Sequence, residues 1–214
     1  MKIRKRALLA AAVMLMMTGM AGCGDQPAAE SQEAAPLEDN QFLITLYPEH
    51  APITCDNFKD LVNDGFYTDV IFHRVIEGFM AQGGDPTGTG MGGSDTTIHG
   101  EFQSNGVDNT LSHTRGIVSM ARSGDPNSAS SQFFICYTDD NAEFLDGKYA
   151  AFGEVTEGME VVDSFLQVER SYSATGELSS PNTPIAMEKV EMYAQDSEGH
   201  DRVLVTMKDF LPEK

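Results

Sequence analysis

The sequence predicts a single β-rich domain, either a sandwich or a closed barrel. Many short segments rich in β-branched and aromatic residues are separated by Gly, Pro, Asn and Asp, which is typical of strands joined by turns. Only two segments show the apolar spacing of a helix. The part of the chain with these patterns, about 155 residues, is long enough to bury a core, and it contains no evident internal repeat.

The predicted elements follow one another along the chain, with one long Gly-rich loop between residue 85 and Gly100. The segment 41–47 is apolar and β-branched, which predicts a strand. Residues 52–65 predict a helix that begins at Pro52 and stops at Gly65, with Ile53, Phe58, Leu61 and Val62 near helical spacing. Beyond the hairpin described next, the sequence predicts strands at 116–121, 132–137, 150–155 and 187–193, a second helix at 157–168 and a loop at 170–184.

Residues 72–85 carry the most informative pattern, a hairpin with one arginine and one glutamine among apolar residues. Alternation along a strand puts Phe72, Arg74 and Ile76 on one face. A three-residue loop at 77–79 with a central Gly then pairs Ile76 with Met80 and Arg74 with Gln82. A single oriented cation on an apolar face has the basic features of a binding site. An ordinary amphipathic hairpin with a solvated Arg fits this segment equally well.

The N-terminal residues predict a leader and a tether rather than part of the fold. Residues 1–22 combine a basic start with an 11-residue apolar run from Ala7 to Met17, which suits a signal peptide and is too short for a membrane span of about 20 residues. The leader ends at Met20-Ala-Gly-Cys23, which resembles a bacterial lipobox and predicts a lipid-modified Cys23. A plain secretory signal that leaves Cys23 free is the alternative. Residues 23–40 are poor in large apolar side chains and predict a disordered tether.

Charge and cysteine content exclude several classes of protein. The formal net charge is −19, and removing the basic leader would make it more negative, which argues against binding of nucleic acid or anionic lipid. Cys55 and Cys136 lie in a predicted helix and a predicted core strand. We expect them to be buried small apolar residues rather than a disulfide.

The sequence also contains residues that could suggest a dinucleotide site, a metal site or a hydrolase, but the surrounding sequence argues against each. Residues 88–93 match the spacing G-x-G-x-x-G, but no helix pattern follows, so a dinucleotide site is not expected. The five histidines lack metal-ligand spacing, so no metal site is predicted. A hydrolase built on His113 with Ser119 or Ser131 is conceivable, yet no G-x-S-x-G motif is present.

Two later segments could complete a pocket beside the hairpin. Residues 131–136 alternate so that Gln132 and Phe134 share a face, and residues 143–149 present Phe144 and Leu145 before an Asp-Gly turn. Considered singly, an aromatic residue such as Phe134 or Phe144 is more often part of a protein core than of a binding site. Taken together, they could form a pocket with apolar walls from Phe79, Met80, Phe134 and Leu145 and a polar rim from Arg74, Gln82 and Gln132.

Four motifs resemble those of cyclophilins, in the same order and with similar spacing. They are Phe-His-Arg-Val-Ile-Glu-Gly-Phe-Met-Ala-Gln-Gly-Gly-Asp, Gly-Ile-Val-Ser-Met-Ala, Ser-Gln-Phe-Phe-Ile-Cys and Phe-Leu-Asp-Gly-Lys-Tyr. The resemblance covers roughly residues 42–193. It implies a mainly β fold, a closed eight-stranded antiparallel barrel capped by two α-helices. It therefore assigns residues 41–194 to a cyclophilin-like isomerase domain and residues 195–214 to a C-terminal extension. The run of mostly apolar residues at 203–207 in this extension is either an extra strand or a docked segment.

The resemblance also implies the site residues. Arg74 falls on the catalytic arginine of the family. The substrate-binding positions are Phe79, Met80, Gln82, Ala121, Arg122, Gln132, Phe134, Phe144, Leu145 and Tyr149. Arg122 stands where many members carry Asn, Phe144 where many eukaryotic members carry Trp, and Tyr149 where His is common.

The implied activity is cis–trans isomerisation of Xaa-Pro bonds, without a cofactor or metal. Its partners would be proline-containing polypeptides, and the lipid on Cys23 would hold a monomer on the extracytoplasmic side of a bacterial membrane to assist exported proteins. A non-catalytic cyclophilin-like module that binds proline-containing segments is the alternative. The intact Arg74 and pocket favour the enzyme.

Overall fold

The computed structural model describes residues 36–211. The predicted signal peptide, the lipidation site Cys23 and most of the predicted tether lie outside the described residues, as do residues 212–214. Within the described part of the chain, no helix is long and apolar enough to cross a membrane.

Eight strands of the described chain form one antiparallel sheet. They are β1 (Gln41–Leu46), β2 (Ile71–Ile76), β3 (Met80–Asp85), β4 (Ile117–Met120), β5 (Phe133–Cys136), β6 (Ala151–Glu157), β9 (Met187–Tyr193) and β10 (Arg202–Met207), and a separate hairpin consists of β7 (Arg170–Tyr172) and β8 (Leu178–Pro181). The order across the sheet is β2-β3-β5-β4-β6-β1-β10-β9, and the hairpin β7–β8 lies against β2.

The prediction of a closed barrel is wrong, because the sheet is an open, strongly curled half-barrel. Its edge strands β2 and β9 do not pair along their lengths. Among the described residues, a bridge between Ile71 and Ala186 and a few backbone hydrogen bonds beside it join the two edges at one end. The hairpin β7–β8 packs beside β2 in the remaining space, in the segment 170–184 that was predicted to be a loop.

Among residues 36–211, three α-helices replace the two that were expected: α1 (Pro52–Asn63), α2 (Ala142–Leu145) and α3 (Met159–Ser164). The predicted helix 157–168 corresponds to α3 and the 3₁₀ turn Phe165–Gln167 that follows it. The additional helix, α2, is a single turn, too short to show helical periodicity in the sequence. It carries Leu145 of the predicted pocket.

The N-terminus of α1 is capped from a distant loop. No side chain at its own N-cap position accepts a hydrogen bond. Instead, the buried Glu101 carboxylate accepts from the backbone N–H groups of Ile53 (3.0 Å) and Thr54 (2.7 Å) and from the Thr54 hydroxyl (2.7 Å). These bonds satisfy donors that a helix start leaves free, so the loop before β4 is tied to the helix.

The main core lies inside the curl of the sheet and is rich in aromatic rings. The Phe58 ring of α1 lies 5.1 to 5.5 Å from those of Tyr67, Phe133 and Phe152. Along β5, Phe133 and Ile135 belong to this core, whereas Phe134 and Cys136 point to the other face and join a second, smaller cluster. The period-two alternation of a strand therefore supplies two apolar surfaces from four consecutive residues.

The C-terminal segment contributes an inner strand of the sheet. β10 pairs with β1 on one side and with β9 on the other. Its Val203, Val205 and Met207 side chains are fully or almost fully buried in the main core. The segment 41–194 therefore lacks one of the strands that complete the sheet.

Candidate active site

Arg74 and Gln82 face each other across the β2–β3 hairpin. The structure confirms the predicted register, which pairs Ile76 with Met80 and Arg74 with Gln82 around the loop 77–79. It does not place Phe72 on the same face as Arg74. A register shift between Phe72 and Arg74 turns Phe72 into the main core and leaves Arg74 about one third exposed.

A cavity of about 140 Å³ with an apolar floor and a polar rim opens beside this pair. Its floor is the second hydrophobic cluster, in which Met80, Phe134 and Leu145 are at least 95% buried. The edge of the Phe134 ring meets the Tyr149 ring, with the centroids 5.9 Å apart. The cavity is lined by Arg74, Phe79, Met80, Gln82, Ala121, Arg122, Phe134, Leu145 and Tyr149.

Two of the predicted site residues do not line this cavity. Phe144 is half exposed on α2, with its ring 5.6 Å from that of Phe79, so it extends the apolar surface at the rim. Gln132 lines a neighbouring groove with Gln82, Ala121 and Arg122. The structure thus brings the predicted residues together around one cavity and the groove next to it.

A chain of hydrogen bonds links Arg74 to the glycine-rich loop. The Arg74 Nη1 donates to Gln82 Oε1 (3.2 Å), and Gln82 Nε2 donates to Gln132 Oε1 (2.9 Å). Gln132 Nε2 in turn donates to the carbonyls of Gly90 (3.2 Å) and Gly92 (2.7 Å). The two glutamines therefore have fixed amide orientations and hold the guanidinium from the cavity side.

Glu177 is a site residue that the sequence analysis missed. Its carboxylate accepts two hydrogen bonds from Arg74, at 2.7 Å from Nε and 2.9 Å from Nη2. These bonds hold the pKa of Glu177 below its ordinary value despite partial burial. Glu177 lies 103 residues from Arg74 in the chain, in a segment that was predicted to be a loop, so no local pattern could pair the two.

The glycine-rich loop surrounds a carboxylate of the chain itself. Asp85 accepts hydrogen bonds from the backbone N–H groups of Thr87, Thr89, Gly90 and Gly92. Burial alone would raise the pKa of Asp85, but these donors lower it to about 2. The amides that could cradle a phosphate are thus occupied by a carboxylate of the chain.

A Ser-His-Asp chain lies beneath the cavity. Burial lowers the pKa of His113, and its neutral ring donates from Nδ1 to Asp146 (2.7 Å) and accepts at Nε2 from the Ser119 hydroxyl (2.9 Å). Ser119 is fully buried and therefore cannot reach a substrate as a nucleophile. The same His113 ring stacks on Phe134, with the centroids 6.1 Å apart, so the chain supports the cavity floor.

Arg122 is turned along the protein surface. Its guanidinium lies over the rings of Phe102 (5.0 Å) and Tyr149 (4.7 Å) and donates to the Lys148 carbonyl. Cation–π contacts and these hydrogen bonds hold the side chain at the cavity rim.

The two remaining cysteines are buried and not bonded to each other. Burial raises the pKa of each thiol to about 12, so both are protonated at neutral pH. Within residues 36–211, no three His, Cys, Asp or Glu side chains converge as metal ligands would.

Comparison with known proteins decides the family. The family model described as cyclophilin type peptidyl-prolyl cis-trans isomerase/CLD matches residues 35–192. The chain belongs to the cyclophilin family. It is 52% identical over 122 residues to the peptidyl-prolyl cis-trans isomerase ppi1 of Schizosaccharomyces pombe, a match that covers 56% of this chain and 76% of that protein. The isomerase-like 1 protein of Aspergillus fumigatus is 51% identical over 122 residues, covering 56% of this chain and 73% of the relative.

A solved structure agrees with these relatives. The cyclophilin of Cryptosporidium parvum, crystallised in the presence of the dipeptide Ala-Pro, is similar with a TM-score of 0.61 and 29% sequence identity. The match covers 78% of this chain and 93% of that one. The chain is thus a cyclophilin-type peptidyl-prolyl cis-trans isomerase, and the two sequence relatives named above are eukaryotic proteins.

Proposed function

We propose that this cyclophilin isomerises Xaa-Pro bonds in the cavity beside Arg74, with the guanidinium as the catalytic group. The observation that carries the proposal is the position of Arg74, a restrained cation at the edge of a cavity with an apolar floor. The cavity would hold the proline ring against Met80, Phe134 and Leu145, while the rest of the peptide rotates.

The chemistry needs no nucleophile. A peptide bond resists rotation because of amide resonance, with a barrier of about 18–20 kcal/mol, and uncatalysed prolyl isomerisation takes about 10–100 s. In the twisted transition state the proline nitrogen loses conjugation and gains a lone pair. Donors fixed near that nitrogen and near the substrate carbonyl stabilise the twisted state more than either planar state. Arg74 supplies such donors on a planar guanidinium group.

The dipeptide Ala-Pro tests the position of the binding site. We expect it to shift the backbone amide NMR signals of Met80, Phe134 and Leu145, which form the cavity floor, and the methyl signals of Met80 and Leu145. Signals of Val203, which is buried in the main core, should stay unchanged. The dipeptide Ala-Gly is the matched control, because it keeps the termini and lacks the ring. Shifts of equal size with Ala-Gly, or shifts confined to residues outside the cavity, would place the proline site elsewhere.

We further propose that the substrates are proline-containing segments of exported proteins, and that the enzyme is a lipoprotein on the outer side of a bacterial membrane. The support comes from the sequence of the leader, with its basic start, apolar run and Cys23 motif. A second acyl chain makes such an anchor stable, since one chain alone binds a membrane only marginally.

The substitution Cys23→Ser tests the anchor. In a bacterial host we expect the variant to leave the membrane fraction, because its hydroxyl cannot accept the thioether-linked lipid. The distribution is measured by immunoblotting of membrane and soluble fractions, with fatty-acid labelling as a second readout. Ser31→Ala, in the same segment but outside the motif, should stay with the membrane. A Cys23→Ser protein that remains membrane-bound would contradict the proposal.

A further inference from the structure

The carboxylate of Glu177 occupies one side of the Arg74 guanidinium. An arginine side chain has five N–H donors. Glu177 takes one from Nε and one from Nη2, and Gln82 takes one from Nη1. One N–H on each terminal nitrogen remains for a substrate. Two acceptors on different elements therefore fix both the plane and the rotation of the guanidinium.

Glu177 is itself held in a defined turn between β7 and β8. The Ser173 N–H donates to the Glu177 carbonyl (2.8 Å), and the Glu177 N–H donates to the Ser173 hydroxyl (3.3 Å). Gly176, just before Glu177, adopts a positive φ of 80° that closes the turn. Because β8 packs along β2, the turn that precedes β8 places the Glu177 carboxylate next to Arg74.

We propose that Glu177 is the residue that positions the Arg74 guanidinium, and that its charge also sets a substrate preference. Peptides with neutral or basic residues beside the proline are favoured over peptides with acidic ones. This inference rests on the proposed role of Arg74. It assigns a substrate preference to the site, and it means that the β7–β8 hairpin contributes to the reaction by orienting Arg74 through Glu177.

The preference follows from the balance of charge at the cavity. Arg74 lines the cavity, and the Glu177 carboxylate neutralises its charge at an N–O distance of 2.7 Å. The other arginine at the rim, Arg122, is held over two aromatic rings and bonded to the Lys148 carbonyl. An acidic residue that enters beside Arg74 would meet a guanidinium whose charge Glu177 already neutralises, whereas a basic residue there would gain the carboxylate. Arg122 has no carboxylate partner among the described residues, but its charge is the same in the wild type and in a Glu177 variant, so a change of preference on substitution reports the charge of Glu177.

The substitution Glu177→Gln removes the charge and keeps the size of the side chain. With one acceptor oxygen left, the guanidinium loses its two-point restraint on the hairpin side. We expect kcat to fall about three- to tenfold and KM to change less than about twofold, because the loss concerns donor alignment in the transition state rather than the apolar grip on proline.

Two peptides that differ in one residue test the preference. Both contain Ala-Pro, one with Asp and the other with Lys beside this pair. In Glu177→Gln, the ratio of kcat/KM for the Asp peptide to that for the Lys peptide should rise about three- to tenfold at low ionic strength. The rise should shrink in high salt, which screens the charge. Glu177→Asp keeps the charge, so its peptide ratio should stay at the wild-type value.

Glu169→Gln is the matched control. Glu169 is exposed just before the same hairpin, and the substitution removes the same charge. It should leave kcat and the peptide ratio unchanged. The NMR signal of the Arg74 Nε–H gives a readout that needs no activity: Glu177→Gln should speed its exchange with water, while Glu169→Gln should not.

The outcomes separate the two proposals. If Glu177→Gln matches Glu169→Gln in kcat, in the peptide ratio or in the Nε–H exchange, the assignment of Glu177 is overturned while the role of Arg74 stands. If Arg74→Ala retains the activity of the wild type, the proposed catalytic role fails first, and the role of Glu177 fails with it.

Discussion

The substitution Arg74→Ala is expected to lower kcat/KM for an Ala-Pro peptide about 10²- to 10³-fold, the loss typical of removing one preorganised donor from a transition state. The side chain is one third exposed and lies outside the main core, so the domain should still fold. The cavity floor also remains, so dipeptide binding should persist. The measurement is isomerisation in a protease-free assay, with thermal unfolding followed in parallel.

Arg115→Ala is the control for the loss of an arginine. Arg115 is half exposed and pairs with Asp163 of α3 rather than with a cavity residue. Its substitution should keep kcat/KM close to that of the wild type. Arg74→Lys should resemble Arg74→Ala, because a lysine keeps the charge but lacks the fork that reaches Gln82 and Glu177 together. Full activity in a folded Arg74→Ala protein would contradict the proposed mechanism.

Truncation after residue 194 is expected to abolish cooperative folding. It removes β10, which lies between β1 and β9. Four side chains of this strand, Val203, Leu204, Val205 and Met207, are at least 91% buried. At about 1.5–3 kcal/mol each, their loss is comparable with the whole net stability of a domain, about 5–15 kcal/mol. The cut also leaves facing edges of β1 and β9 unpaired.

The test compares the chain 24–194 with the chain 24–214 by thermal and urea unfolding. We expect a single sharp transition for the longer chain and a broad or absent one for the shorter. A chain ending at residue 194 that unfolds cooperatively at the same temperature would show that the C-terminal segment is dispensable for the fold. That result would support the extension inferred from the sequence.

Local patterns predicted the part of the fold that positions Arg74. Alternation and the central Gly of the loop 77–79 were sufficient for the hairpin register, since both act over a few residues. The same alternation along 131–136 separated Phe134 from Phe133 and so identified one wall of the cavity. The resemblance to cyclophilins then supplied the positions of Ala121, Arg122 and Tyr149, which carry no pattern of their own.

What the sequence could not predict depends on contacts between distant segments. The pairing of β10 with β1 joins residues more than 150 positions apart, so the sequence alone could not show where the apolar residues of β10 lie in the sheet. The hairpin β7–β8 consists of strands of three and four largely polar residues, which lack a visible alternation. Its position beside β2 accounts both for the open edge of the sheet and for the contact between Glu177 and Arg74.

The most direct test of the account is the rate of cis–trans exchange of an Ala-Pro peptide, measured by two-dimensional exchange NMR with catalytic amounts of the chain 24–214. We predict that the wild-type chain shortens the exchange time from the uncatalysed range of about 10–100 s to well below 1 s. Arg74→Ala should return it to nearly the uncatalysed value while the peptide still binds. Exchange that is equally fast with both proteins, or no faster with the wild type than in buffer, would contradict isomerisation at Arg74.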